Sequence, residues 1–250
     1  MQEYWESYVK PIDGHKAMVS FNASVSDMLP DTEYIYVAFV KVKLNNPKED
    51  GLVTDKEAND IGSIEDRLEL ESLRYRSGKY IGRIISQGEV NFIYYLKLDL
   101  EWSDTVQSAM NHFKEYTHEL GSRIDMEWEV YQKLLFPNVK EWQMIANHHS
   151  CNKLKEHGDN LRIDRAIEHK AYFSSEEDRQ SFLDLIEVEN FTNQKDMEVP
   201  FKNKTMYGVQ FYRWDVPFYY DIDELTMKII DMSTSCNGSY DGWESYLVKI

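Results

Sequence analysis

Between residues 166 and 249 two hydrophobic periods alternate in a fixed order, and that order limits the folds open to the chain. Ala166–Phe173 alternates with period two. Phe182, Leu185 and Ile186 follow at helical spacing. Phe191–Phe201 and Met206–Val216 return to strand-like composition across Lys202-Asn203-Lys204. Ile222, Leu225, Ile229, Met232 and Cys236 form a second helical stripe, and Trp243–Lys249 reads as a last strand. A strand needs one face buried and a helix one stripe buried. Strand, helix, strand, strand, helix, strand is therefore expected to close as a ferredoxin-like α/β sandwich. Ser174 and Ser175 offer caps for the first helix, Ser174 with Glu177 predicts a capping box, and Asp221 with Glu224 a cap for the second. Gly238 is expected to end the second helix.

The preceding half shows a comparable order after one extra strand at residues 16–24. Residues 34–44 predict a strand buried on both faces, and 55–77 a helix carrying Ile61, Ile64 and Leu68. Lys79–Ser86 and Asn91–Asp99 predict a hairpin around Gln87-Gly88-Glu89. A helix is expected from a Ser103 cap to Gly121, with Val106, Ala109, Met110, Phe113, Tyr116 and Leu120 on one face. Arg123–Tyr131 then predicts a strand with Ile124, Met126, Trp128 and Val130 inward and Asp125, Glu127 and Glu129 outward. The expected fold class is α+β, two tandem ferredoxin-like (βαββαβ) sandwiches, the first with an added N-terminal strand. The expected domains are residues 1–137 and 158–250, joined by a helix over 138–157 that starts after Pro137 and ends at Gly158.

Net charge is −16. It divides evenly at Gly158, with 18 basic and 26 acidic residues before it and 10 and 18 after it, −8 in each part. Nucleic acid is held through clustered Lys and Arg that release counterions, so DNA is not an expected partner and RNA is a poor one. A basic protein segment is the better electrostatic match. Two cysteines, Cys151 and Cys236, fit a reducing compartment, and no apolar run has the length of a membrane helix. The expected location is cytoplasmic, without a membrane partner.

Several short pieces carry a family likeness. They are Leu154-Lys155-Glu156-His157-Gly158-Asp159, Ile167-Glu168-His169-Lys170-Ala171-Tyr172-Phe173, Val209-Gln210-Phe211-Tyr212-Arg213-Trp214-Asp215, and the closing Tyr240-Asp241-Gly242-Trp243-Glu244. On these, residues 154–248 resemble the family called regulator of ribonuclease E activity B. Residues 1–137, opening Trp5-Glu6-Ser7-Tyr8, resemble an uncharacterised bacterial domain often joined to it. The resemblance implies a small acidic cytoplasmic protein with a ferredoxin-like fold that binds ribonuclease E and inhibits RNA cleavage, itself catalysing nothing.

Strand alternation places Tyr172, Tyr212 and Trp214 opposite the Ile167/Val209 side, where they are expected to face away from the helices and anchor a partner. Tyr240, Asp241, Gly242, Trp243 and Glu244 are either a structural corner, with Gly242 turning the chain from helix to strand, or part of the same partner surface. Glu176, Glu177, Asp178 and Asp184 are candidates for steering a basic partner, although carboxylates in the first turn of a helix also answer the helix dipole. His169 is expected to be a hydrogen-bonded core histidine. His148, His149, Cys151 and His157 form no complete zinc pattern, and Asp125, Glu127 and Glu129 could hold a cation only if they share an open face. No cofactor, metal or catalytic residue is assigned. The alternatives are an enzyme with a site in an interdomain cleft and single-stranded RNA stacking on the aromatic sheet face.

Overall fold

The computed structural model describes residues 3–76, 78–202 and 204–249. The expected helix end at Ser77 and the hairpin residue Asn203 lie outside them. The chain divides into two compact units, the first ending at Glu141 and the second beginning at Trp142.

The first unit runs β1 (Trp5–Ile12), β2 (His15–Asn22), a 3-10 turn (Ala23–Met28), β3 (Tyr36–Lys43), α1 (Asp55–Tyr75), β4 (Gly78–Ser86), β5 (Glu89–Leu96), α2 (Trp102–Met110) and β6 (His118–Ile124). The strands form one antiparallel sheet in the order β1-β2-β4-β5-β3-β6. Its core joins Ile61, Ile64 and Leu68 of α1 and Val106 and Ala109 of α2 to Val40, Phe92 and Tyr94 of the sheet. The Gln87-Gly88 turn is as expected, with φ of 53° and 78°, the left-handed pair that suits a two-residue hairpin. Asp13-Gly14 repeats it, with φ of 51° and 78°, and closes a hairpin of β1 and β2 where only one strand was predicted. Pro11 argues against a strand in sequence. It is tolerated here because β1 is the sheet edge.

Two expectations fail in this unit. The helix predicted from Ser103 to Gly121 begins at Trp102 after Glu101 and ends at Met110, and 118–124 is the edge strand β6. Gly121 lies opposite Phe39, where an added Cβ would come within 2.8 Å of the ring. The glycine admits a cross-strand aromatic and does not mark a helix end. The predicted strand 123–131 stops at Ile124, so its alternation is lost. Ile124 and Met126 are exposed while Asp125 is buried. Asp125 accepts from Tyr95 Oη (2.5 Å), Glu129 N (2.9 Å) and Val130 N (3.0 Å). Burial alone would raise its carboxyl, but Tyr95 and the two amides outweigh it and hold the group below the ordinary range. The carboxylate is consumed in closing a turn, so Asp125, Glu127 and Glu129 do not make a shared cation face.

α3 (Val139–Glu156) crosses the boundary, and the second unit continues with β7 (Arg165–Phe173), α4 (Glu176–Val188), β8 (Thr192–Phe201), β9 (Lys204–Asp215), α5 (Tyr219–Ser235) and β10 (Gly238–Glu244). The sheet is antiparallel, in the order β10-β7-β9-β8. In chain order the four strands sit fourth, first, third, second. β6-β3-β5-β4 of the first unit sit the same way. Within the second unit Cys151 of α3 joins the core of Ile167, Phe173, Phe182, Phe211 and Ile229.

Three local predictions need correcting here. Of the two serines offered as caps, Ser175 is the N-cap of α4, its Oγ accepting from Asp178 N at 3.1 Å, one residue later than the Ser174/Glu177 box. α5 starts at Tyr219 after Phe218 with no side-chain cap, ahead of Asp221. The last strand is Gly238–Glu244, not 243–249, so Gly238 opens a strand.

Candidate docking face of the second sheet

β7 buries alternate residues, Arg165, Ile167, His169, Ala171 and Phe173, beneath the helices. The opposite face carries the rest, in rows read from the strand pairing. Ser239, Tyr172, Gly208 and Met197 make one row. Gly242, Lys170, Gln210 and Lys195 make the next. Glu244, Glu168, Tyr212 and Thr192 make the third, with Ala166 and Trp214 beyond.

Tyr172, Tyr212 and Trp214 therefore share this face, as strand alternation predicts. Trp214 is 59% exposed, while Tyr172 and Tyr212 are half-buried. An added Cβ on Gly208 would come within 2.8 Å of the Tyr172 ring, so the glycine lets that ring lie across its neighbour strand. Tyr212 of β9 pairs with Glu168, four residues from Tyr172 along β7, so the two rings are offset by about 13 Å in the strand direction. Between them lie polar pairs: Lys170 Nζ to Glu244 Oε1 at 2.8 Å, and Gln210 Nε2 donating to Glu168 Oε2 at 2.6 Å. Lys170 is thus already balanced; the rows hold Lys170 and Lys195 against Glu168 and Glu244, and Asp241 at the bulge adds a third carboxylate.

The closing motif behaves differently. Asp241 is the extra residue of a β-bulge between Tyr240 and Gly242, and Gly242 takes φ of 126°. Its glycine serves a bulge within β10, not a turn from helix to strand. The bulge leaves a 120 Å³ hollow lined by Glu168, Lys170, Gly242 and Glu244. Tyr240 and Trp243 turn to the helix side and pack against the core. Tyr240 Oη lies 2.8 Å from His169 Nδ1, and Trp243 Nε1 donates to Asn147 Oδ1 at 2.8 Å. Asp241 and Glu244 remain exposed. The five residues split between two faces, which their adjacency in sequence concealed.

The acidic group lies on α4, which covers the buried side of the sheet through Phe182 and Ile186. Glu176 accepts from Arg179 (3.2 Å), Asp178 from Ser175 and Asn237, and Asp184 from Gln180. The hydrogen bonds from Ser175 and Asn237 hold the Asp178 carboxyl below its ordinary range. Glu177 is exposed. These carboxylates flank the aromatic face from the helix layer and do not line it.

His169 is fully buried, stacked on Phe211 at 5.4 Å and edge-on to Phe191. Burial, then the Arg213 charge, pushes its imidazole down to about 3. It is neutral at physiological pH and is not poised as a base. Its NMR ring signals are expected to stay unchanged from pH 8 to pH 5. In the unfolded chain the group titrates near 6.5 and binds a proton that the folded form refuses. The stability of the second unit should therefore fall as pH drops below about 6.5. A titration midpoint above pH 5 for this residue would show that the ring reaches solvent.

His148 Nε2 lies 2.8 Å from Asp223 Oδ2, and the Cys151 thiol donates to the Pro217 carbonyl at 3.3 Å. Burial, followed by the Asp223 charge, pushes that thiol up to about 12. It is a core residue, not an activated thiolate. Sequence reading missed the contributions of β8, Lys195 and Met197, because they depend on which strand neighbours β9.

Comparison with known proteins follows the division into units. Residues 3–136 match the model of a family of unknown function, DUF695. Residues 144–245 match the model described as regulator of ribonuclease activity B. No curated protein matches the chain. Among solved structures, an unknown protein from Galdieria sulphuraria aligns at 9% identity and TM-score 0.24, covering 86% of this chain and 99% of its own. A protein from Thermus thermophilus aligns at 10% identity and TM-score 0.25, covering 98% of this chain and 27% of its own. No helix among the described residues is long and apolar enough to cross a membrane.

Proposed function

Because this chain belongs to the DUF695 family and its second unit matches the regulator of ribonuclease activity B, we propose that it is a non-catalytic cytoplasmic regulator that binds a protein of the RNA-decay machinery. On this reading residues 1–137 and 158–250 are separate ferredoxin-like domains joined through the helix 138–157. The repeated strand order supports that plan. Two buried free cysteines agree with a reducing compartment.

The observation that carries the proposal is the open sheet face, where Trp214 is exposed beside Tyr212 and the carboxylates Glu168, Asp241 and Glu244 gather at the β10 bulge. Aromatic side chains bring large contact area at low entropy cost and dominate interface energetics. Carboxylates beside them select a basic segment and speed its approach. The acidic hollow at the β10 bulge is sized for one side chain, such as an arginine or lysine tip. RNA stacking on the same aromatics has less support, since Lys170 is paired with Glu244 and phosphates would meet Glu168.

A cleavage assay with purified ribonuclease E from the same source tests the proposal. The chain should slow cleavage in proportion to its concentration, and less so as salt rises. Trp214→Ala should weaken inhibition about tenfold or more with its melting temperature unchanged, because the side chain is exposed. An unchanged cleavage rate at large molar excess of the chain would remove the proposal.

A further inference from the structure

The first unit holds a 280 Å³ recess between α1, the 3-10 turn and the sheet. Its walls are aromatic and aliphatic, formed by Tyr80, Tyr94, Trp128, Val25 and Met28. Its polar lining is unbalanced: Glu3, Asp31 and Glu69 contribute three carboxylates against the single ammonium of Lys79. That ammonium is already committed. It lies 2.8 Å from Asp31 Oδ2 and 4.1 Å over the Tyr34 ring. Glu3 accepts from Trp5 Nε1 at 3.0 Å.

Glu69 is the residue left over. Among the described residues it makes no ion pair and no hydrogen bond, and desolvation by the recess walls, then the charges of Glu3, Glu65 and Asp66, push its carboxyl up. A second group in the recess is also unsatisfied. Tyr94 is fully buried, and its hydroxyl has no hydrogen-bond partner among the described residues. After burial itself, Glu69 and Glu65 are the charges that act most on that hydroxyl. A buried hydroxyl without a partner costs about 1–3 kcal/mol.

We propose that this recess binds a compact organic cation, a primary ammonium or guanidinium on a small apolar body. The cation would sit between Glu69 and the Tyr94 hydroxyl, whose oxygen can accept one of its N–H groups. The apolar body would lie against the accessible part of Tyr80 and the side chains of Met28 and Leu73 at the mouth. An anion would meet three carboxylates. Chelation of a metal ion is not the fit either, since no group of His, Cys, Asp and Glu among the described residues is arranged to hold one. This site lies wholly in the first unit and does not rest on the regulatory reading of the second.

The probe is phenethylamine, titrated into the full chain by calorimetry, with phenethyl alcohol as its neutral counterpart. Saturable binding of the amine is expected, and the alcohol should bind at least about tenfold more weakly. Glu69→Gln should weaken the amine about tenfold, a change of about 1.4 kcal/mol. Glu69 is exposed at the rim, so this variant should fold normally. Leu73→Trp, at a 66% exposed rim position, should block entry. Tyr94→Phe should weaken the amine several-fold while raising the melting temperature, because the orphan hydroxyl is gone. Equal affinity for amine and alcohol, no binding of the amine at about 10 mM, or unchanged affinity in Glu69→Gln would each overturn the proposal.

Discussion

Replacing Arg165 by methionine is expected to lower the unfolding free energy of the second unit by about 3–5 kcal/mol. Arg165 and Asp159 are both fully buried as side chains and meet at 2.7 Å. Arg165 also donates to the carbonyls of Tyr246 (3.1 Å), Asn160 (2.6 Å) and Ile163 (3.1 Å). Asp159 accepts from Val248 N at 2.6 Å. The pair therefore clips the loop before β7 to the segment after β10. Removing the guanidinium leaves the Asp159 carboxylate and three carbonyls short of donors, and an uncompensated buried charge is among the costliest single defects. Hydrogen exchange on the full chain should show the loss in peptides of the second unit while those of the first stay protected. Unchanged protection at residues 159–173 and 245–249 would show that the clip contributes little.

The same pair sets an acid limit. Burial raises the Asp159 carboxyl, but Arg165 and the Val248 amide outweigh it and hold it below its ordinary value. Its contribution is present above the unfolded value, about 3.9, and is lost as pH falls through the lower folded value. This window lies below the one set by His169. Arg165→Met should remove the Asp159 contribution and leave that of His169.

Trp128→Ala is expected to cost the first unit about 3–5 kcal/mol, the range for emptying an aromatic site in a core. The indole is fully buried and stacks on Tyr95 with centroids 3.7 Å apart and planes 2° from parallel. Its Nε1 donates to the Asp31 carbonyl at 3.2 Å. Trp128 does this from a left-handed backbone, φ 57°, which costs a residue with a Cβ about 1–2 kcal/mol. Trp128→Gly should consequently be no less stable than Trp128→Ala, the relief of φ offsetting the entropy of glycine. Urea unfolding followed by far-ultraviolet circular dichroism measures both. A glycine variant clearly less stable than the alanine one would mean that the left-handed backbone is not strained.

The aromatic trio of the docking face was legible in the sequence, because a strand of period two sorts its own faces without help from neighbours. Tyr172, Tyr212 and Trp214 needed only that rule. Tyr240 and Trp243 did not yield to it, since the bulge at Asp241 shifts the register and sends Trp243 to the same side as Tyr240. Nothing in Tyr240-Asp241-Gly242-Trp243 distinguishes a bulge from a tight turn, as both ask for glycine at positive φ. The acidic residues of α4 were visible as a cluster, but their separation from the aromatic face depended on which sheet face the helix covers. The recess of the first unit could not be read at all, for it assembles Glu69 of α1, Tyr94 of β5 and Trp128 of a loop from distant parts of the chain.

Local sequence alone determined the succession of elements in the second unit and the burial of His169, because hydrophobic period and strand alternation act over a few residues. Tertiary structure decided what residues 111–131 became. Phe113, Tyr116 and Leu120 satisfy a helical spacing, yet the exposed edge of β3 gains a full ladder of backbone hydrogen bonds when 118–124 pairs with it. That gain exists only once β3 is in place beside β5, so no window of sequence around Gly121 contains it.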